Sequence, residues 1–197
     1  MRTFLVGGSG VIGRRLIPRL VAAGHEVTAT TRHRSSCELL RDLGADPVVL
    51  DVFDLDRVCK AMAACGPELV LHEVTDLPDD PAALARHASR NARVRQVGTR
   101  NLVAAARASG ASRLVAQSVA WHLGGAAGAA VADLEAQVLG FGGVVVRYGR
   151  LYGPDTYHPD ALPDAPRIHV DEAARRTVEV LGMPSGVVTL VDESDEP

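Results

Sequence analysis

The stretch that most constrains the fold of this 197-residue chain is its beginning, residues 1–23. Arg2-Thr3-Phe4-Leu5-Val6 is a short apolar run of the kind that forms a buried strand. Gly7-Gly8-Ser9-Gly10-Val11-Ile12-Gly13 follows directly, and Arg14 to Ala23 then keeps an amphipathic helical period closed by Gly24. A strand, a glycine turn and a helix in that order make a phosphate cradle. Glycine permits positive φ and a close approach to the backbone. The helix start offers unpaired N–H groups and the positive end of its dipole. Gly7, Gly10 and Gly13, with Ser9, Val11 and Ile12 between them, are therefore the expected phosphate-binding residues. Pro18 falls inside the helical run, where it removes a hydrogen bond and is expected to kink the helix.

A second strand is expected from Glu26 to Thr31, followed by Arg32-His33-Arg34. In dinucleotide folds the end of this strand meets the adenine ribose; an acid there suits NAD and an arginine suits the 2′-phosphate of NADP. Arg32 and Arg34 thus favour NADP, with NAD the alternative. Ser35 is positioned to cap a helix running to about Leu43. A third strand, Asp46 to Leu50, leads into Asp51-Val52-Phe53-Asp54. Asp51 is placed to accept a bond from an adenine amino group, with the Val52 backbone against the ring, and Asp54 to cap the helix Leu55 to Ala64. Pro67 to Val74 reads as the fourth strand. It ends in His72, expected to be a packed structural histidine, and Glu73, whose carboxyl lies close to a bound cofactor.

Helical sequence runs from about Ala82 to Ser109, with Arg93, Arg100 and Arg107 on one solvated stripe. Ala111 to Ser118 is a fifth strand, Gly124 to Ala130 a small-residue loop, Val131 to Leu139 a helix, and Gly143 to Val146 a sixth strand. Val187 to Val191 is a last strand, and the acidic tail Asp192 to Pro197 is expected to fray. Alternating strands and helices make one doubly wound parallel α/β sheet of Rossmann type, as a single domain over 1–197. The proline- and aspartate-rich segment 155–167 is a possible substrate lid.

Several of these segments resemble motifs of the short-chain dehydrogenase/reductase superfamily, in its extended, NAD-dependent epimerase/dehydratase-like branch. The glycine spacing, Asp51-Val52-Phe53-Asp54, Val70-Leu71-His72, Gly98-Thr99-Arg100-Asn101-Leu102, Arg147 to Pro154 and His169-Val170-Asp171 occur in the family's order. The resemblance implies a dinucleotide cofactor and places the substrate-polarising serine at Ser118. It also implies a catalytic tyrosine with a lysine four residues later, and this chain lacks that pair. Its tyrosines are Tyr148, Tyr152 and Tyr157, and its only lysine, Lys60, precedes them all. The family pattern puts Ala129 at the tyrosine and Asp133 at the lysine.

Three functions follow as expectations. The first is an atypical NAD(P)-dependent oxidoreductase acting on a small carbonyl- or enone-type metabolite. There Ser118 holds the carbonyl and Tyr148, His122 or Tyr152 supplies the proton. The second is a non-redox isomerase, dehydratase or lyase using Glu73, His122, Asp133 or Tyr148. The third is a dinucleotide-binding sensor without turnover. The net charge of −3 gives no electrostatic case for nucleic acid or an anionic membrane. No apolar run reaches membrane-spanning length. Cys37, Cys59 and Cys65 form no CxxC pair, so reduced thiols, no metal site and a cytoplasmic location are expected. The resemblance implies a possible homodimer, because family members commonly pair through the helices that correspond to those near Arg93–Arg107 and Val131–Leu139.

Overall fold

A computed structural model describes residues 1–195. The elements are β1 (Arg2–Val6), α1 (Gly13–Ala22), β2 (Glu26–Thr31), α2 (Cys37–Asp42), β3 (Asp46–Val49), α3 (Leu55–Cys65) and β4 (Leu69–His72). Then come α4 (Leu84–Arg93), α5 (Thr99–Ala108), β5 (Arg113–Val119), α6 (Gly125–Phe141) and β6 (Val144–Tyr148). The last are β7 (Arg150–Tyr152), β8 (Arg167–His169), α7 (Val170–Val180) and β9 (Gly186–Leu190). Seven strands form a parallel sheet in the order β3-β2-β1-β4-β5-β6-β9, and β7 and β8 make a separate parallel pair. The expected doubly wound Rossmann-type sheet is what forms.

Period-two alternation sorts the strand residues onto two faces. Leu5, Leu69, Leu71, Val115, Val146 and Tyr148 pack with α1, α2 and α7. Phe4, Val6, Val70, Leu114, Ala116 and Val145 pack with α3, α5 and α6. Strand order reverses on either side of β1, so a crevice opens at the carboxyl ends of β1 and β4, where such sheets bind ligands. Gly7 and Glu73 occupy that point.

Four local expectations are corrected. Gly124 to Ala130 is no loop: Gly125 begins α6, because Ala126, Ala127, Ala129 and Ala130 are strong helix formers and outweigh Gly128. Ser35 caps nothing; the chain enters α2 through a 3₁₀ turn, Arg34–Ser36, with no side-chain cap. The run from 82 to 109 is two helices joined by a π-helical turn, Val94–Gly98. The tail residues 192–195 are held: Asp192 accepts from the Tyr152 hydroxyl at 3.1 Å and Asp195 from the Arg167 backbone at 3.1 Å. The remainder of the expected frayed tail, 196–197, lies outside the described residues. Asp54 caps α3 as expected, accepting the Arg57 N–H at 3.1 Å. The α1 helix continues through Pro18.

Candidate dinucleotide site

The glycine turn leaves β1 and doubles back under the start of α1. Gly7 has φ +90°, which a side chain would strain, and a Cβ there would stand 2.8 Å from the Glu73 carbonyl oxygen. A Cβ on Gly13 would stand 2.2 Å from the Gly7 carbonyl oxygen. The turn is pinned to β2 by Gly8 N–H to Thr30 carbonyl at 2.9 Å and by the Ser9 hydroxyl to Thr31 Oγ1 at 3.1 Å. Val11 is half-buried and Ile12 joins the core beside α1. Among the described residues, no protein acceptor takes the N–H of Ser9, Val11 or Ile12. Free amides at a helix start fit a diphosphate.

Beyond the turn, Asp51 is exposed, and one of its oxygens accepts the Phe53 N–H at 3.0 Å. Val52 is buried and its carbonyl accepts from Asn101 Nδ2 at 2.9 Å. Arg34 is exposed and lines an open groove of about 690 Å³ with Arg41 and Arg57. Arg32 is engaged by an acid: its Nη2 lies 3.1 Å from Asp76 Oδ1.

Two buried polar clusters flank the end of β6, one on each face of the sheet. On the α7 side, the Tyr148 hydroxyl lies 3.3 Å from Glu73 Oε1 and 2.7 Å from Thr177 Oγ1. Thr177 donates its own proton to the Ala173 carbonyl at 2.7 Å. The phenol has one proton. It goes either to Glu73 Oε1 or to Thr177 Oγ1. Burial pushes the Glu73 carboxyl up to about 8, against the opposing pull of the Tyr148 hydrogen bond. Glu73 is 6% exposed and its Oε2 has no partner. At neutral pH it is a carboxylic acid. Burial, with Glu73 beside it, also raises Tyr148 well above the ordinary phenol value. The Glu73 side chain is therefore a core group, and what it presents to the glycine turn is its backbone carbonyl.

On the α6 side, Ser118 donates to Glu135 Oε1 at 2.6 Å, and Arg147 grips Glu135 through Nε at 2.9 Å and Nη2 at 2.5 Å. Burial raises the Glu135 carboxyl, but the Arg147 and Ser118 hydrogen bonds outweigh it and hold the group below its ordinary value. The one proton of Ser118 is thus committed to a carboxylate. As placed, Ser118 cannot also donate to a substrate carbonyl.

The three expected catalytic residues are not brought together. Ser118 and Tyr148 occupy opposite faces of the sheet, and His122 is exposed on the loop before α6. Tyr152 donates to Asp192. His72 is packed: Nδ1 accepts the Val74 N–H at 3.3 Å, so Nε2 carries the proton and donates to Thr99 at 3.0 Å. Burial lowers it to about 4, which keeps it neutral. Glu135 was not anticipated, although a carboxylate next to Leu134 and one turn from Val138 on an apolar helix stripe is a visible signal.

The expected lid, 155–167, is tied at both ends. Arg15 bonds the Pro154 carbonyl at 2.8 Å, Asp155 at 3.1 Å and Asp171 at 2.8 Å. Arg150 holds the Ala165 carbonyl at 2.8 Å. The Tyr157 hydroxyl reaches the Pro78 carbonyl on the loop after β4.

A seven-stranded parallel sheet with a glycine turn at its switch point defines a Rossmann-type α/β protein. More specifically, the chain belongs to the NAD dependent epimerase/dehydratase family, whose sequence model matches residues 3–124. It is 40% identical to a 3-diazoavenalumate denitrifying reductase from a Streptomyces species, over 79% of this chain and 58% of that protein. It is 34% identical to 4-hydroxy-2-methyl-3-oxo-4-farnesyl-3,4-dihydroquinoline-1-oxide ketoreductase from Stigmatella aurantiaca, over 58% of this chain and 32% of that protein. The chain thus spans less than two thirds of the length of either relative. Its fold superposes on UDP-glucose 4-epimerase from Thermotoga maritima with a TM-score of 0.82 at 18% identity, covering 97% of this chain and 77% of that one. For the NAD complex of the Thermus thermophilus UDP-glucose 4-epimerase the values are 0.77 and 20%, covering 97% and 78%. No helix among the described residues is long and apolar enough to cross a membrane.

Proposed function

We propose that this chain is the dinucleotide-binding unit of an NAD(P)H-dependent reductase acting on a small electrophilic metabolite. The glycine turn, with its free amides at the start of α1, is the observation that carries the proposal. Ser9, Gly10, Val11 and Ile12 would hold the diphosphate, and Asp51 and Val52 the adenine. Arg32 and Arg34 at the end of β2 favour NADP. When bound, the reduced dinucleotide supplies a hydride. Both relatives quoted above carry reductase names, which supports redox chemistry over an isomerase or a sensor.

Two acceptor classes suit the residues. For a carbonyl or enone, Ser118 turns from Glu135 to hold the substrate oxygen, with the exposed His122 as the proton source; the ketoreductase relative supports this class. For a diazo compound, the Streptomyces relative supports a reaction in which hydride replaces nitrogen. A diazonium group and a hydride give a C–H bond and N₂, so no alkoxide forms and no tyrosine–lysine pair is needed. That balance agrees with a chain whose only lysine is Lys60.

Product analysis with 4-deuterated NADPH tests the proposal: deuterium appears in the product of a carbonyl, enone or diazo panel. Cofactor that is never consumed by any panel member, with substrate still converted, contradicts it. The variant Ser118→Ala separates the classes. Losing one donor to a developing oxyanion lowers carbonyl turnover by about 10²-fold, and diazo turnover stays within about threefold.

A further inference from the structure

The side chain that faces Arg32 comes from a distant part of the chain. Asp76 sits on the loop after β4, with its carboxylate 7% exposed. One oxygen lies 3.1 Å from Arg32 Nη2 and the other 3.0 Å from Arg90 Nε. Its backbone N–H donates to Asn91 Oδ1 at 3.0 Å. Asp76 is thus fixed from three sides. Arg32, with 42% of its side chain exposed, is the partner free to turn.

We infer that Asp76 is a specificity-determining residue, which holds Arg32 and so reduces the advantage of NADP over NAD. The inference rests on the reading above that the glycine turn binds a dinucleotide. A 2′-phosphate at the end of β2 draws on Arg32 for its charge. To do so it takes the guanidinium from Asp76 and leaves a buried carboxylate with Arg90 alone. The phosphate also meets repulsion from that carboxylate at short range. A ribose 2′-hydroxyl asks neither change. Asp76 therefore acts against one dinucleotide and leaves the other alone.

Calorimetric titration of NADP⁺ and NAD⁺ into the wild-type protein, Asp76→Asn and Arg90→Gln tests the inference, with thermal melting of each apo protein as a folding check. Asp76→Asn keeps the shape of the side chain and loses its charge. It tightens NADP⁺ binding at least fivefold, leaves NAD⁺ within twofold, and loses that gain when Arg32→Gln is added. Arg90→Gln changes an exposed residue and acts in the opposite direction. It leaves Arg32 as the sole ion-pair partner of Asp76 and weakens NADP⁺ relative to NAD⁺. A merely structural Asp76 moves both affinities together. An unchanged affinity ratio in both variants, with binding intact, overturns the role of Asp76 while leaving the dinucleotide site standing. Binding of neither dinucleotide by the folded wild-type protein overturns both.

Discussion

Replacing Gly13 by alanine is expected to abolish dinucleotide binding and to destabilise the fold. The new methyl carbon would lie 2.2 Å from the Gly7 carbonyl oxygen and 2.8 Å from Gly8 Cα. Both are backbone atoms, so no flexible side chain can yield. The glycine turn has to open, and the free amides of Ser9, Val11 and Ile12 lose their common focus. Overpacking of this kind costs about 1–3 kcal/mol. Binding falls by more than about 100-fold, since several charge-assisted bonds to one diphosphate are lost together. Gly10→Ala is the informative companion. Its Cβ meets only the Gly7 carbonyl, at 3.2 Å. The apo protein should therefore melt close to wild type while its dinucleotide affinity drops, because the backbone can no longer approach a ligand closely. Thermal melts and calorimetry on the two variants check both halves.

The second large effect is a pH dependence centred on Glu73. Its carboxyl titrates at about 8 in the folded protein against an ordinary value of 4.5. The folded state therefore keeps a proton that the unfolded state has released, and stability falls as pH rises from 4.5 to 8. His72 acts in the opposite sense. Its folded value is about 4 against 6.5, so it adds stability as pH rises across that window. The two slopes oppose each other between pH 4.5 and 6.5 and leave the Glu73 loss exposed between 6.5 and 8. At about 1.4 kcal/mol per unit, the wild-type protein loses roughly 2 kcal/mol over that last interval. Glu73→Gln preserves the shape and cannot ionise. Its stability should be flat from pH 6.5 to 9, and it should exceed wild type most at the alkaline end. Urea denaturation across pH checks this. A wild-type curve that stays level above pH 6.5 contradicts a protonated Glu73.

The sequence makes the scaffold legible because its signals are local. The Gly7–Gly10–Gly13 turn, the Asp54 cap and the apolar runs of β1, β4 and β5 each declare themselves within a few residues. What escaped depends on longer range or on competing local preferences. Gly124 to Ala130 reads as a loop through its three glycines, yet its four alanines carry it into α6. The π turn at Val94–Gly98 has no separate apolar period to reveal it inside a long helical run. Arg32 and Asp76 are 44 residues apart, and only the sheet order brings the loop after β4 to the end of β2. Ser118 and Tyr148 stand at the ends of neighbouring strands, β5 and β6, which suggests one shared site. Period-two alternation then sends them to opposite faces, one to Glu135 and the other to Glu73 and Thr177. The phosphate cradle could thus be seen before the structure, and the fate of the protons around it could not.

Titration calorimetry of the purified wild-type protein with NADPH and with NADH tests the central claim most directly. The account predicts saturable one-to-one binding of at least one of them, lost in Gly13→Ala. Folded wild-type protein that takes up neither contradicts it.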